Sequence, residues 1–300
     1  MSQNPFNRLK ARRVVLGFFA IAITLALIFG TLGTLNVLPL QPNDPILAPV
    51  LYILIFCSLC AAVLLWSRNT PLNLRYLTGG WPTQVSWLEM VLLVFGTFFF
   101  SLGAFQISYL LLSFIAPGVV EATLQQTLLL SAAETSTPKL YNGLMLFAAL
   151  VVAPITEEFL FRGILLHRWG SKWGIRPAIA LSSAFFGVLH SNLVGLFVFG
   201  VVMALLYLHS RSLIVPIVAH ALNNAIASSL ELFSARVHTD ISVNTLAEFR
   251  ASWWLGVLCI LISAPWLGRY IRRSWPTQQD LLPYFANQMF ANPTKEKSIG

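Results

Sequence analysis

Charge is what this sequence has least of. Asp, Glu, Lys and Arg make up 10% of the 300 residues, against roughly 25% in an ordinary soluble domain. That shortage, with 57% hydrophobic residues and a mean hydropathy of +0.74, excludes a soluble fold and marks an integral membrane protein. Acidic residues are scarcer still, 11 against 19 Lys and Arg, giving a net charge of +8. In a soluble chain that balance would suggest nucleic acid. Here the basic residues flank apolar runs, as cytoplasmic loops of membrane proteins do, so no nucleic-acid partner is expected. The three cysteines, Cys57, Cys60 and Cys259, lie inside apolar runs and provide no disulfide framework. There is no internal repeat and no low-complexity tract.

What the sequence does have is long apolar runs. About 20 residues of helix cross the hydrocarbon at 1.5 Å per residue. By that measure spans are expected near 14–34, 47–66, 87–115, 140–166, 177–191, 194–209, 213–231 and 252–270. The fifth and sixth are short, and a re-entrant pair is the alternative there. The first run follows "NRLKARR" and is read as a retained anchor. The expectation is an all-α polytopic bundle of about eight transmembrane helices around an intramembrane polar cavity. Its parts are an N-terminal set of about three spans with an outer loop (1–139), a core (140–231), and a last span with a tail (232–300).

Alternate loops differ sharply in positive charge. One side collects Arg8, Lys10, Arg12, Arg13, Arg68, Arg75, Arg168, Lys172, Arg176, Arg211, Arg269, Arg272, Arg273, Lys295 and Lys297. The other receives Lys139, Arg236 and Arg250, with Glu121, Glu134, Asp240 and Glu248. The positive-inside rule makes both termini cytoplasmic, as expected in a bacterial-type plasma membrane or a thylakoid-like inner membrane. The outer segment 118–138 has leucines at helical spacing and is expected at the interface. The polar, proline-bearing tail from Ser274 is expected to be loosely ordered.

Ionisable groups near a bilayer midplane cost at least about 2.5–3.5 kcal/mol each on insertion scales, so they are functional candidates by default. In "PITEEFLFRGILLHRW", Pro154 to Trp169, two glutamates stand side by side with an arginine four residues on. Glu158 and Arg162 share a helix face and can pair; the plain structural reading is an intramembrane ion pair. Glu157 points about 100° away and needs a partner from another helix. His190 in the fifth run and His220 with Asn223 and Asn224 in the seventh are the remaining polar intruders. His167, His209 and His238 fall at helix ends or loops and read as interfacial.

At 1.5 Å per residue from the cytoplasmic ends, Glu157 lies roughly 15 Å deep, His190 roughly 20 Å, His220 roughly 10 Å and Asn224 roughly 16 Å. They can meet at one level, in a water-bearing cavity expected to open toward the cytoplasm. A carboxylate and a histidine sharing a confined water can deprotonate it as it attacks a carbonyl. His220 and Asn224, four apart, suit the pair of donors that the resulting oxyanion requires. Zinc is the rival chemistry, but no H-E-x-x-H occurs and the groups come from three separate helices. No cofactor is therefore expected.

Three stretches carry a resemblance: "EEFLFR" (Glu157 to Arg162), "FGVLH" (Phe186 to His190) and "HALNN" (His220 to Asn224). In order and placement they resemble the E-E-x-x-x-R, F-x-x-x-H and H-x-x-x-N motifs of the CPBP family (CAAX protease and bacteriocin-processing, also called Abi), which contains the type II CAAX prenyl proteases. The resemblance covers about 90 residues, from Tyr141 to Leu230. It implies a metal-independent glutamic intramembrane endopeptidase acting on a membrane-associated peptide or protein. Glu157 would be the general base, His190 would help activate the water, and His220 and Asn224 would stabilise the oxyanion. Glu158, Arg162 and Phe186 would support them. Two other functions fit the same residues: a non-catalytic scaffold or bacteriocin-immunity protein, and a proton-coupled transporter. Against the transporter, no inverted repeat or paired broken helices are visible.

Overall fold

A computed structural model describes residues 4–35, 37, 44–68, 72–131, 134–237 and 245–291, the backbone alone at 234–237. His238, Asp240, Lys295, Lys297 and the last part of the tail lie outside the described residues, as does the Arg236 side chain. Among the described residues every regular element is helical. After a single turn at Pro5–Asn7 come α1 (Ala11–Thr34), α2 (Leu47–Trp66), α3 (Leu74–Thr78), α4 (Trp87–Ile115) and α5 (Pro117–Leu124). A continuous helix α6 (Pro138–Trp173) follows, then α7 (Ile175–Val188), α8 (Leu193–Ser210), α9 (Ile214–Val237), α10 (Leu246–Ala251), α11 (Trp253–Ser274) and α12 (Pro283–Ala291).

All eight apolar runs are helices, and six of them (α1, α2, α4, α6, α8 and α11) are long and apolar enough to cross a membrane. The other two fall short for different reasons. α7 has 14 residues. α9 is long enough, but His220, Asn223, Asn224 and Glu231 interrupt its apolar run.

α1 packs mainly on α2 at the periphery and exposes Leu16, Ile23 and Leu27, as a lipid-facing helix does. α8 lies at the centre, against α4, α7 and α9. Gly200 makes the α7–α8 approach possible, since a Cβ there would stand 2.9 Å from the Ser183 Cβ.

The two chain ends meet at one end of the bundle. Arg168 donates to the Phe6 carbonyl, and the Tyr284 amide donates to His167 Nε2. Arg176 donates to the Pro276 carbonyl, and Asn287 to the carbonyls of Tyr76 and Arg211. The tail is thus not loose through residue 291. Leu282, Tyr284 and Ala286 are buried, and Asp280 accepts from the Thr277 amide. Polar average composition concealed a short apolar stripe whose partners, Phe6, His167 and Tyr76, are brought together only by folding.

At the opposite end the connecting segments are tied to one another and to the helix ends. Glu231 accepts from the amides of Leu128 and Leu129, Arg250 donates to Ser113, and the Tyr109 hydroxyl reaches the Ser191 carbonyl. Of the segment expected at the interface, residues 118–124 belong to α5, which buries Val120.

Candidate active site

The site is built on a distorted stretch of α6. From Ala148 to Val152 and again from Phe159 to Leu165 the helix widens to i→i+5 hydrogen bonding, with one ordinary stretch, Ala153–Glu158, between. Such π-bulges are costly and concentrate at functional positions. Pro154 explains the first. The Ala153 amide donates five residues back to Ala148, and the next residue in register is a proline with no N–H. The Ala149 carbonyl is left without a helical donor, and the Asn224 side chain supplies one at 2.8 Å. A backbone defect in α6 is thereby repaired by α9.

Glu158 and Arg162 pair as their spacing requires. Arg162 Nη1 donates to Glu158 Oε1 at 3.0 Å, with both side chains at or below 1% exposure. The guanidinium also donates to the Gly200 carbonyl at 3.1 Å and lies 4.8 Å from the centre of the Phe186 ring. A cation buried this completely is tolerable only with such a full set of partners. Phe186, itself fully buried, holds the His190 ring at 4.6 Å and contacts Phe199 and His220.

His190 Nδ1 faces the Phe186 carbonyl at 2.7 Å. A carbonyl can only accept, so Nδ1 carries the proton and Nε2 is the nitrogen left for chemistry. His220 bridges the two glutamates: Nδ1 is 2.9 Å from Glu158 Oε1, and Nε2 is 4.0 Å from Glu157 Oε2. His220 is thus engaged with the carboxylates, while one of Asn224's two amide N–H bonds is already used on Ala149.

The partner that Glu157 needs from another helix is Tyr52 of α2, whose hydroxyl donates to Glu157 Oε1 at 2.6 Å. Sequence reasoning missed it, because a tyrosine in an apolar helix is unremarkable without its contacts. The second carboxylate oxygen, Oε2, is buried and has no hydrogen-bond partner among the described residues.

Glu157, His190, His220 and Asn224 line one cavity of about 470 Å³, together with Tyr52, Asn223 and Ser228 on the polar side and Ala148, Ala149, Met145 and Leu196 on the apolar side. The structure therefore brings all four predicted residues to one place, and stacks Phe186, Glu158 and Arg162 behind them. Among the described residues, no three His, Cys, Asp or Glu side chains are grouped so as to hold a metal ion.

The direction of the cavity differs from expectation. Its lining includes Ala48 in the first turn of α2, Leu128 in the outer loop, and Ala227 and Ser228 in the later part of α9. All of these lie toward the end opposite the termini. Toward the termini, Leu165, Met203, Leu206, Val215 and Ala219 form part of a closed core, each at most 7% exposed. Depth along a helix axis could not show which side of the polar cluster these residues would fill.

Residues 139–226 match the family described as type II CAAX prenyl endopeptidase Rce1-like. A protein of Bacillus subtilis (strain 168) described as "Putative membrane peptidase YdiL" is 32% identical over 100 residues, covering 32% of this chain and 41% of that protein. The chain thus spans less than half the length of this curated relative. No solved structure matches the chain. The matched segment runs from α6 into α9 and so contains Glu157, Glu158, Arg162, Phe186, His190, His220 and Asn224, but not Tyr52 or Ser228.

Proposed function

We propose that the protein is an intramembrane endopeptidase of the glutamic type, hydrolysing a peptide bond in a membrane-associated substrate without a metal or other cofactor. The observation that carries this is the asymmetric environment of Glu157. One oxygen is fixed by Tyr52, the other is unpartnered beside His220, and the residue lines a cavity with His190 and Asn224. A carboxylate so held can take a proton from water as the water oxygen attacks the substrate carbonyl. The tetrahedral oxyanion is then stabilised by N–H donors from Asn224 and His220, and collapse breaks the C–N bond as the proton passes to the leaving amine. His190 Nε2 orients the water. Glu158 and Arg162 hold His220, and Phe186 holds His190. The organisation is that of a catalytic core (140–231) flanked by 1–139 and 232–300, and both termini are cytoplasmic by the charge bias, in a bacterial-type plasma membrane or a thylakoid-like inner membrane.

The test compares peptides released from membranes carrying the wild type with those carrying Glu157→Gln, which keeps shape and an acceptor oxygen but removes the base. Loss of specific products from a folded variant supports the proposal. Unchanged products would sink it and favour the scaffold reading, in which the chain of contacts from Tyr52 through Glu157, His220 and Glu158 to Arg162 only holds the helices together. Adding a chelator to the wild-type reaction tests metal independence.

A further inference from the structure

We propose that the cavity is entered from the extracytoplasmic side, so that the substrate is a flexible, extended apolar peptide segment presented at the outer face of the membrane. This rests on the peptidase reading for the word substrate, but the direction of entry rests on geometry and charge alone.

Two independent observations fix that direction. The first is which end of the bundle is cytoplasmic. Contacts of Arg168 with Phe6, Arg176 with Pro276, Leu213 with Thr78 and Asn287 with Arg211 tie both terminal segments and the connections after α3, α6 and α8 to one end. That end carries nearly all the Lys and Arg outside the apolar runs, whereas the far end carries Lys139 and Arg250 against Glu121, Glu134, Glu231 and Glu248. Positive residues beside span ends are retained in the cytoplasm, so the end bearing the termini is the inner one.

The second observation is the direction of the cavity. Its rim residues Ala48, Leu128 and Ala227 belong to the outer end, whereas a second cavity of about 550 Å³ at the inner end, lined by Trp81, Arg211 and Arg273, ends against Leu206 and Val215 and shares no lining residue with the first. A seal is built over that inner end as well: His167, fully buried, stacks on Phe6 at 4.7 Å and accepts from the Tyr284 amide at 3.1 Å. A peptide arriving from the cytoplasm would still have to displace the buried residues Met203, Leu206 and Val215 to reach Glu157. One arriving from outside would meet only the outer rim.

The lining also sets the kind of segment. Polar groups are confined to Tyr52, Glu157, the two histidines, the paired asparagines and Ser228, while alanines and Met145 and Leu196 make up much of the rest. A cavity of about 470 Å³ with these walls takes a few residues of extended chain with apolar side chains. A helical segment has its backbone amides already bonded and shielded, so the scissile stretch must be unwound.

The experiment is thiol accessibility in intact membranes. With Cys57, Cys60 and Cys259 replaced by alanine, single cysteines are placed at Ala48 and Ala227 on the rim, both exposed and cavity-lining. Lys172→Cys and Glu121→Cys, also exposed, serve as reporters of the inner and outer ends. A membrane-impermeant maleimide is applied to spheroplasts and to inverted vesicles. The expected result is that Ala48→Cys, Ala227→Cys and Glu121→Cys react in spheroplasts and Lys172→Cys only in inverted vesicles. Rim cysteines reacting only in inverted vesicles, or from neither face, overturn the proposal, as does Lys172→Cys reacting in spheroplasts. These outcomes do not depend on catalysis. A chain that labels as expected but whose Glu157→Gln variant releases unchanged peptides would fail the peptidase reading alone.

Discussion

The Tyr52 hydroxyl donates to Glu157 Oε1 at 2.6 Å, joining α2 to the polar stretch of α6 across 105 positions of sequence. This contact is the one described hydrogen bond that fixes the orientation of the Glu157 carboxylate. Tyr52→Phe removes it without changing the ring. A hydrogen bond to a charged group contributes about 1.5–3 kcal/mol net, so peptide release should fall roughly 10- to 100-fold while the protein stays folded. Time courses of product release from membranes, beside a thermal melt in detergent, separate the two effects. Undiminished release in a Tyr52→Phe protein would remove tyrosine from the mechanism.

Arg162 makes a sharper stability prediction. It is at 1% exposure, with Glu158, the Gly200 carbonyl and the Phe186 ring as partners. Arg162→Met leaves Glu158 buried with only His220 to neutralise it, and breaking a buried pair in this way costs about 3–5 kcal/mol. The double change Glu158→Leu with Arg162→Met should recover much of that loss, because it leaves no uncompensated charge. Denaturant or thermal unfolding in detergent reads both. A single variant as stable as the wild type would show that the pair contributes nothing.

How much of this was legible beforehand follows from the physics of each residue. Glu157, His190, His220 and Asn224 stand out because lipid penalises ionisable and amide groups, so their presence in apolar runs is itself a signal. Tyr52 sends no such signal: its ring is at home in an apolar helix, and its hydroxyl gains meaning only from Glu157. The widened stretches of α6 follow from which amide bonds which carbonyl, and of their causes only Pro154 is visible in the sequence. α9 misses the measure of a membrane span because the residues that make the site lower its hydropathy. His167 looked interfacial from its place near a helix end, yet it is fully buried, since α12 and the N-terminal turn fold over it.

Asn224 combines a structural and a proposed chemical duty, and the two can be separated. Its side chain satisfies the Ala149 carbonyl, which Pro154 leaves without a donor. Asn224→Ala orphans that carbonyl at a cost of about 1–3 kcal/mol. Pro154→Ala restores an N–H in i→i+5 register, so the same Asn224→Ala change should cost about 1 kcal/mol less in that background, a coupling typical of contacting residues. Peptide release should not recover in parallel. Losing an oxyanion donor costs about 10²- to 10³-fold, and an alanine amide at 154 cannot replace it. Recovery of release along with stability would reduce Asn224 to a cap.

The inner seal gives the last prediction. His167 Nδ1 faces the Arg162 carbonyl at 3.1 Å, and Nε2 accepts from the Tyr284 amide, which fixes a neutral ring with its proton on Nδ1. His167→Phe can keep the stack on Phe6 but leaves both backbone groups unpaired, each at a cost of about 1–3 kcal/mol. That loss falls where α12 docks, so amide hydrogen exchange in Pro283–Ala291 should accelerate while α8, at the centre of the bundle, keeps its protection. Because the core around Met203 and Leu206 lies between this cap and Glu157, rim cysteines at Ala48 and Ala227 should label from the outer face as before. Labelling of those positions from the inner face in His167→Phe would mean that the cap, rather than the packed core, closes the site toward the termini.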